Sequence, residues 1–306
     1  MAFFENGLKA KVMSTELIIE ANVSQKILFE CLDLAKAFES KYSAYKEDSL
    51  LCQINNNAGL KAIECSASEI EIFQRAYEMA ELSGGVFEPT IGVLSQGTYG
   101  FGMSDAKVPT QKELNDSKKL VNYKNLLLSS HSVYLSQKGM KLDLGGIGKG
   151  FVADKIAQQL QTKGATKALI NVGGELVTFG KEYNIAIRDP YSANNLAVIK
   201  TSKNSLSIST SGDYERFIGS KEHHHILDYK TAKSNHHYSS LTVLRDGADA
   251  TLLDGVATIA FNSKQEDLKE IAKQYGVAII AVCSDSEIYF ENLRGLELKS
   301  IEFFSL

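Results

Sequence analysis

The sequence predicts an α+β fold, one intertwined unit of two lobes, and three observations carry that prediction. Strand-like and helix-like stretches are interspersed along the whole chain. The chain has only three prolines, no Pro- or Ser-rich linker and no internal repeat, so nothing marks a domain boundary. Its 306 residues give ample material for a core, whether as one large domain or two smaller ones. The expectation is a single domain over residues 1–306.

The elements follow in order. Residues 9–21 read as a strand. Ser24 caps a helix that places Ile27, Leu28, Cys31, Leu32, Ala35 and Phe38 on one face. Ser66 and Glu69 form a capping-box pattern ahead of Ile70, Phe73, Tyr77 and Ala80, and Gly84-Gly85 stops that helix. Leu126–Ser129 and Ser132–Ser136 pair as strands, with Lys138-Gly139 as the next turn. A helix covers about 151–163, and Ala168–Val172 is a buried strand that ends in Gly173-Gly174. Further strands fall near 183–188, 197–201 and 205–209. Small and apolar residues over 250–261 suggest a packed helix. Ser263 and Glu266 open another, Gly276 ends it, and strand 277–282 follows.

Composition excludes several classes. The apolar and charged fractions are those of a soluble globular protein, and the formal charge of −4 argues against nucleic acid as a partner. No stretch is apolar for long enough to span a membrane. The start, Met1-Ala-Phe-Phe-Glu-Asn-Gly-Leu-Lys9, lacks a basic region followed by an apolar one. The expected location is cytoplasmic as given, or periplasmic if a leader was removed. Cys31, Cys52, Cys65 and Cys283 are scattered with no C-x-x-C, and read as free thiols, Cys31 buried on its helix.

The most informative stretch is Leu142-Asp-Leu-Gly-Gly-Ile-Gly-Lys-Gly150. Four glycines and Lys149 fall within six residues, between a strand-like lead-in and a helix. Glycines let backbone N–H groups turn toward a ligand, and a helix start favours anions. This suits a phosphate or pyrophosphate; the alternative is a turn that merely allows close packing. Neither the Walker A loop nor the dinucleotide fingerprint fits. Asp254 and Thr258 share one helix face at i,i+4, a hard-oxygen pair suited to Mg²⁺ or Ca²⁺, or else a local cap and a back-bonded hydroxyl. Ser209–Arg216 gathers hydroxyls, Gly212 and Asp213 after a strand, as a ligand loop or a polar turn. Five of the six histidines flank Ile226–Thr231. No metal-binding helix pattern or nearby cysteine accompanies them, so a solvated loop with one functional member, His225, is expected; it should face inward. Tyr42 and Tyr45 could stack on a flat ring or edge the core.

In this order the motifs resemble the ApbE family, the FAD:protein FMN transferases, over about residues 9–292. They are Ser43-Ala-Tyr45 with Ser49 to Asn55, Phe87 to Leu94, Asp143 to Gly150, Asn171-Val-Gly-Gly174, Thr210 to Tyr214, His225 to Ala232, and Asp254 to Thr258. The resemblance implies a two-lobed, T-fold-related unit with mixed or antiparallel sheets and FAD, the substrate, in the cleft between lobes. It implies Mg²⁺ (with Ca²⁺ or Mn²⁺ as substitutes) on the Asp254 carboxylate, the Thr258 hydroxyl and the Gly146 carbonyl. Flavin contacts would come from Tyr45, Asn55, Glu88, Gly146, Lys149, Asp154, Thr210, Ser211, Gly212, Asp213 and His225. FMN would pass to a Thr or Ser hydroxyl of an acceptor protein, with AMP leaving and His225 as base beside catalytic Asp254. An FAD pyrophosphatase on the same site and a non-catalytic flavin-binding module are the alternatives. Tyr229 and Ala232 replace the family's Pro and Gly, so the histidine loop is expected to turn differently. The other four histidines of the cluster are expected to be solvated bystanders.

Overall fold

The computed structural model describes residues 2–4 and 7–304; Met1, Glu5 and Asn6, part of the segment read for a leader, lie outside them. The chain divides into two compact units. The first takes residues 1–39, 147–212 and 237–306, the second residues 40–146 and 213–236.

The first unit is built on a sheet whose strand order is Ala2–Phe4, Gly7–Val12, Thr15–Ala21, Ala168–Val172, Glu175–Phe179, Leu206–Gly212, Tyr238–Asp246, Ala278–Cys283 and Ile288–Glu291. Every neighbouring pair is antiparallel. One core lies where helices Gln25–Tyr42 and Gly148–Thr162 cover the sheet; Leu17, Ile19, Leu28, Leu32, Ile156 and Ile170 meet there. A second joins Ile208, Leu244 and Ile280 to the three-stranded sheet of Asn184–Arg188, Asn195–Thr201 and Leu298–Phe303. Helix Ala250–Phe261 is buried almost all round, as its small and apolar residues require.

The second unit carries helices Leu50–Asn56, Ala67–Leu82 and Gln111–Lys118 and a small antiparallel sheet of Ile63–Glu64, Ser132–Leu135 and Leu126–Leu128. A π-helix, Val93–Thr98, lies near a cluster of Leu94, Tyr99, Phe101, Leu114, Leu227 and Ala232. The capping box at Ser66 forms as read: the Ser66 N–H donates to Glu69 Oε2 at 2.8 Å.

The α+β class therefore holds, with antiparallel sheets. One expected element divides in two. Residues 9–21 are not one strand but the hairpin Gly7–Val12 and Thr15–Ala21, turned at Met13 and Ser14 with φ of 53° and 60°. Two positive φ values give the tight turn that matches strand twist, but no glycine or asparagine marks it in the sequence. Strands Glu175–Phe179 and Tyr238–Asp246 lack the polar alternation of a half-exposed strand, because the sheet buries nearly all their residues. Among the described residues no helix is long and apolar enough to cross a membrane. All four cysteines are free, and Cys31 is buried.

A serine in the left-handed region is strained where a glycine is not. Ser14→Gly should therefore gain up to about 1 kcal/mol in stability. Urea unfolding of both proteins measures it, and a loss would show that the Ser14 side chain contributes more than its backbone costs.

Candidate active site

In the first unit, two helices begin against each other. Asp154, in the second turn of helix Gly148–Thr162, accepts from the backbone N–H groups of Ala250 and Thr251 at 2.8 Å each and from the Thr251 hydroxyl at 2.5 Å. Those are the first residues of helix Ala250–Phe261. In return, Asp254 Oδ2 accepts from the Gly150 N–H at 3.0 Å, in the first turn of the other helix. Each helix thus lends a carboxylate to the unsatisfied N–H groups and positive dipole end of its partner. The crossing is so close that a Cβ on Gly150 would lie 2.1 Å from the Ala250 carbonyl oxygen. Gly148 and Gly150 are therefore inside the helix, which starts three residues earlier than the sequence suggested.

Lys149 closes the arrangement. Its ammonium donates to Glu175 Oε1 at 2.7 Å and to Asp254 Oδ1 at 3.1 Å. Asp254 is 2 % exposed and Glu175 1 %. Burial alone would lower the Lys149 pKa, but the Asp254 and Glu175 charges outweigh it and raise it. Burial raises the Glu175 carboxyl, the Asp254 charge adds to that, and Lys149 opposes both. Two acids and one ammonium leave a formal charge of −1 in this buried group, counting both acids as ionised. Thr258 sits one turn beyond Asp254, and its hydroxyl bonds back to the Asp254 carbonyl at 3.2 Å. A buried carboxylate with excess negative charge and a hydroxyl one turn away fit a hard divalent cation completed by water and phosphate. Among the described residues no group of three or more His, Cys, Asp or Glu side chains is arranged for a metal ion. The histidines thus form no such centre. Thr210 pairs with Thr242 at 2.9 Å, Ser211 is half-buried and Gly212 is buried.

In the second unit one expected flavin contact, Asn55, braces the lead-in to the glycines. Asn55 Nδ2 donates to the Leu142 carbonyl at 3.2 Å, and Asn55 Oδ1 accepts the Leu142 N–H at 2.7 Å. Gln96 Nε2 donates to the same carbonyl at 3.2 Å. Ser95, on the π-helix, donates to Asp143 Oδ2, and Asp143 Oδ1 accepts the Gly145 N–H at 2.8 Å. Gly146 follows in a half-buried turn. The buried Glu88 carboxylate takes the Thr90 N–H and hydroxyl and the Tyr123 N–H. Asp213 pairs with Lys221 at 3.5 Å. The polar groups of Asn55, Glu88 and Asp154 are thus engaged within the protein.

Tyr45 and His225 are joined through Arg216. The Tyr45 hydroxyl donates to the Phe101 carbonyl at 2.8 Å and accepts from Arg216 Nη1 at 3.2 Å, and the ring is 47 % exposed over Gly102. The Arg216 carbonyl accepts the His225 N–H at 3.0 Å and faces His225 Nδ1 at 3.1 Å. A carbonyl can only accept, so in the neutral ring the proton is on Nδ1 and Nε2 is the basic nitrogen. Two expectations about this loop need correction. His224, not His225, is the fully inward histidine, because strand Ser220–His224 ends with that face turned to the core. It is no solvated bystander: Nε2 donates to the Asn235 carbonyl at 2.7 Å and Nδ1 accepts the Ile226 N–H at 3.2 Å. His225 is half-buried; His236 and His237 are exposed as expected. Ala232 takes a φ of 59°, in the left-handed region that costs a residue with a Cβ and not a glycine.

Glu175 and the π-helix were not singled out from sequence, and Arg216 was read only as part of the Ser209–Arg216 loop. The acid that opens an otherwise apolar strand after Gly173-Gly174 was the available signal for Glu175.

The model of the ApbE family matches residues 12–281. The chain is 30 % identical over 285 residues to the FAD:protein FMN transferase of Treponema pallidum, covering 85 % of this chain and 78 % of that protein. It is 25 % identical to that of Escherichia coli K12, over 89 % and 80 % of the two chains. The crystal structure of the ApbE protein of Thermotoga maritima superposes with a TM-score of 0.86 at 24 % identity, covering 96 % and 99 %. The flavin transferase ApbE of Vibrio cholerae gives 0.82 at 24 % identity, covering 94 % and 96 %. The family match and these relatives define a transferase enzyme. The chain belongs to the ApbE family.

Asp154→Ala should cost about 1–3 kcal/mol, since it strips buried N–H groups of their acceptor. Urea unfolding measures it, and no loss would mean that the two helices hold without that cap. Acid should also weaken the fold through His224. Burial, more than the nearby His236, lowers its pKa from the usual 6.5, while Asn235 and Asp213 oppose the shift. Its contribution is complete above the unfolded value of about 6.5 and falls as pH drops toward the folded value. Thermal midpoints between pH 7.5 and 5.5 should decline less steeply in His224→Gln; parallel slopes would show that other groups set the acid limit.

Proposed function

We propose that this chain transfers the FMN half of FAD to a Thr or Ser hydroxyl of an acceptor protein and releases AMP. The observation that carries the reading is the buried Lys149–Glu175–Asp254 group at the crossed helix starts, with its single excess negative charge. Asp254 and Thr258 would hold Mg²⁺. When bound, the ion neutralises charge on the diphosphate. The start of helix Gly148–Thr162 and the Lys149 ammonium add positive potential for the same phosphates. The exposed Tyr45 ring offers a face for stacking on a flat ring system.

The chemistry asked of the protein is positioning and one proton transfer. The acceptor hydroxyl oxygen bonds to the FMN phosphorus, the phosphorus–oxygen bond to AMP breaks, and the hydroxyl proton passes to His225 Nε2. The Arg216 carbonyl supports that role by holding the proton of the neutral ring on Nδ1. Incubation with FAD, Mg²⁺ and a candidate acceptor domain tests the reading by intact mass. Acceptor gaining the mass of FMN less water supports transfer; free FMN and AMP with unmodified acceptor would favour hydrolysis.

Asp254→Ala should abolish Mg²⁺-dependent release of AMP, because it removes the anionic ligand of the proposed cation site. Near-normal turnover at saturating Mg²⁺ would reduce the Asp254–Thr258 pair to a structural role. His225→Ala should slow transfer by about 10²-fold or more with little change in FAD affinity. Chromatographic assay of AMP and calorimetry with FAD read the two effects, and an equal loss in His223→Ala or His237→Ala would remove His225 as the base.

A further inference from the structure

Glu175 opens strand Glu175–Phe179 directly after the Gly173-Gly174 turn, where all five residues are buried. An acid in such a place is expensive unless something requires it. Oε1 accepts from Lys149 at 2.7 Å, whereas Oε2 is buried with the Ser209 hydroxyl near the carboxylate but outside good hydrogen-bond geometry. The ammonium is closer to Glu175 than to Asp254 Oδ1, at 3.1 Å. Asp254 Oδ2 is already committed to the Gly150 N–H. Lys149 alone could neutralise one of the two acids. With a single acid present, the ammonium would settle on it and meet an incoming cation as a competitor of the same sign.

We propose that Glu175 is a positioning residue that shares Lys149 with Asp254, so that the ammonium does not close on the Asp254 carboxylate alone and that carboxylate stays available to a divalent cation. The inference rests on the proposed reading of Asp254 as the cation's ligand. Glu175 holds the ammonium at 2.7 Å, against 3.1 Å for Asp254 Oδ1, and adds a second carboxylate to a group with one lysine. Glu175→Gln keeps the shape, removes that charge and leaves the full attraction of the ammonium on Asp254. Both consequences act against a divalent cation.

Binding of Mn²⁺, followed by the electron paramagnetic resonance of the free ion, tests this on the FAD-saturated protein without acceptor. Thermal midpoints confirm that each variant is folded. Glu175→Gln should raise the Mn²⁺ dissociation constant about tenfold or more, and Glu175→Asp should keep it within roughly threefold of wild type. The double variant Lys149→Met/Glu175→Gln should bind Mn²⁺ more tightly than Glu175→Gln alone, because the competing ammonium is gone. Wild-type affinity in Glu175→Gln would overturn the proposal. So would a double variant no tighter than Glu175→Gln, since Glu175 would then act by its own charge and not through the lysine. A wild-type protein that takes up no Mn²⁺, or an Asp254→Ala variant that binds it unchanged, overturns the cation reading first and this inference with it.

Discussion

The exchange of carboxylates between two helix starts is the constraint on which the charged group of the first unit depends. Asp154 satisfies the first turn of helix Ala250–Phe261, and Asp254 does the same for helix Gly148–Thr162. Neither helix can slide along the other without stripping a buried carboxylate of its donors. The absence of a side chain at Gly150 lets the two backbones come that close. Lys149 and Glu175 then have fixed places, because the lysine is in the first turn of one helix and Glu175 follows the tight turn out of Ala168–Val172. One interlock therefore sets the helix positions and the placement of the charged groups together.

The second unit uses a different device. Its strand-like lead-in, Lys141 to Gly145, is held from the side by Asn55, Ser95 and Gln96, which come from a short helix and a π-helix. A π-helix shifts side chains out of normal helical register, and here it points Ser95 and Gln96 at neighbouring residues of one strand. Arg216 gives Tyr45 and His225 a common anchor, through its guanidinium in one case and its carbonyl in the other. An aromatic face and a basic nitrogen on separate loops thus share one point of support.

Much of this was legible in the residues. The Asp143–Gly150 turn and the Asp254–Thr258 helix were marked by glycine spacing and by i,i+4 placement, both local signals. What remained hidden is long-range. Asp154 and Ala250 are joined across 96 positions, and Asn55 and Leu142 across 87, so no window of sequence shows that these polar groups are engaged. The hairpin at Met13 and Ser14 was invisible for the opposite reason: its turn carries none of the residues that favour a positive φ. The two adjacent histidines show the limit of periodicity. Which of His224 and His225 faces the core is decided by the register of a short strand, and a shift of one residue exchanges them.

The order of strands has a consequence for how the chain comes to be folded. The hairpin of Gly7–Val12 and Thr15–Ala21 is synthesised first, yet its next neighbour in the sheet is Ala168–Val172, with Leu17 opposite Val172. At usual synthesis rates the intervening chain takes about 10–30 s to emerge. Through that interval Leu8, Leu17 and Ile19, fully buried in the finished protein, belong to a hairpin whose open edge has no strand to meet. An unpaired sheet edge invites pairing with another chain. The nascent protein thus depends on being shielded, or on delaying the hairpin, until the segment that carries the glycine-rich turn has followed it out.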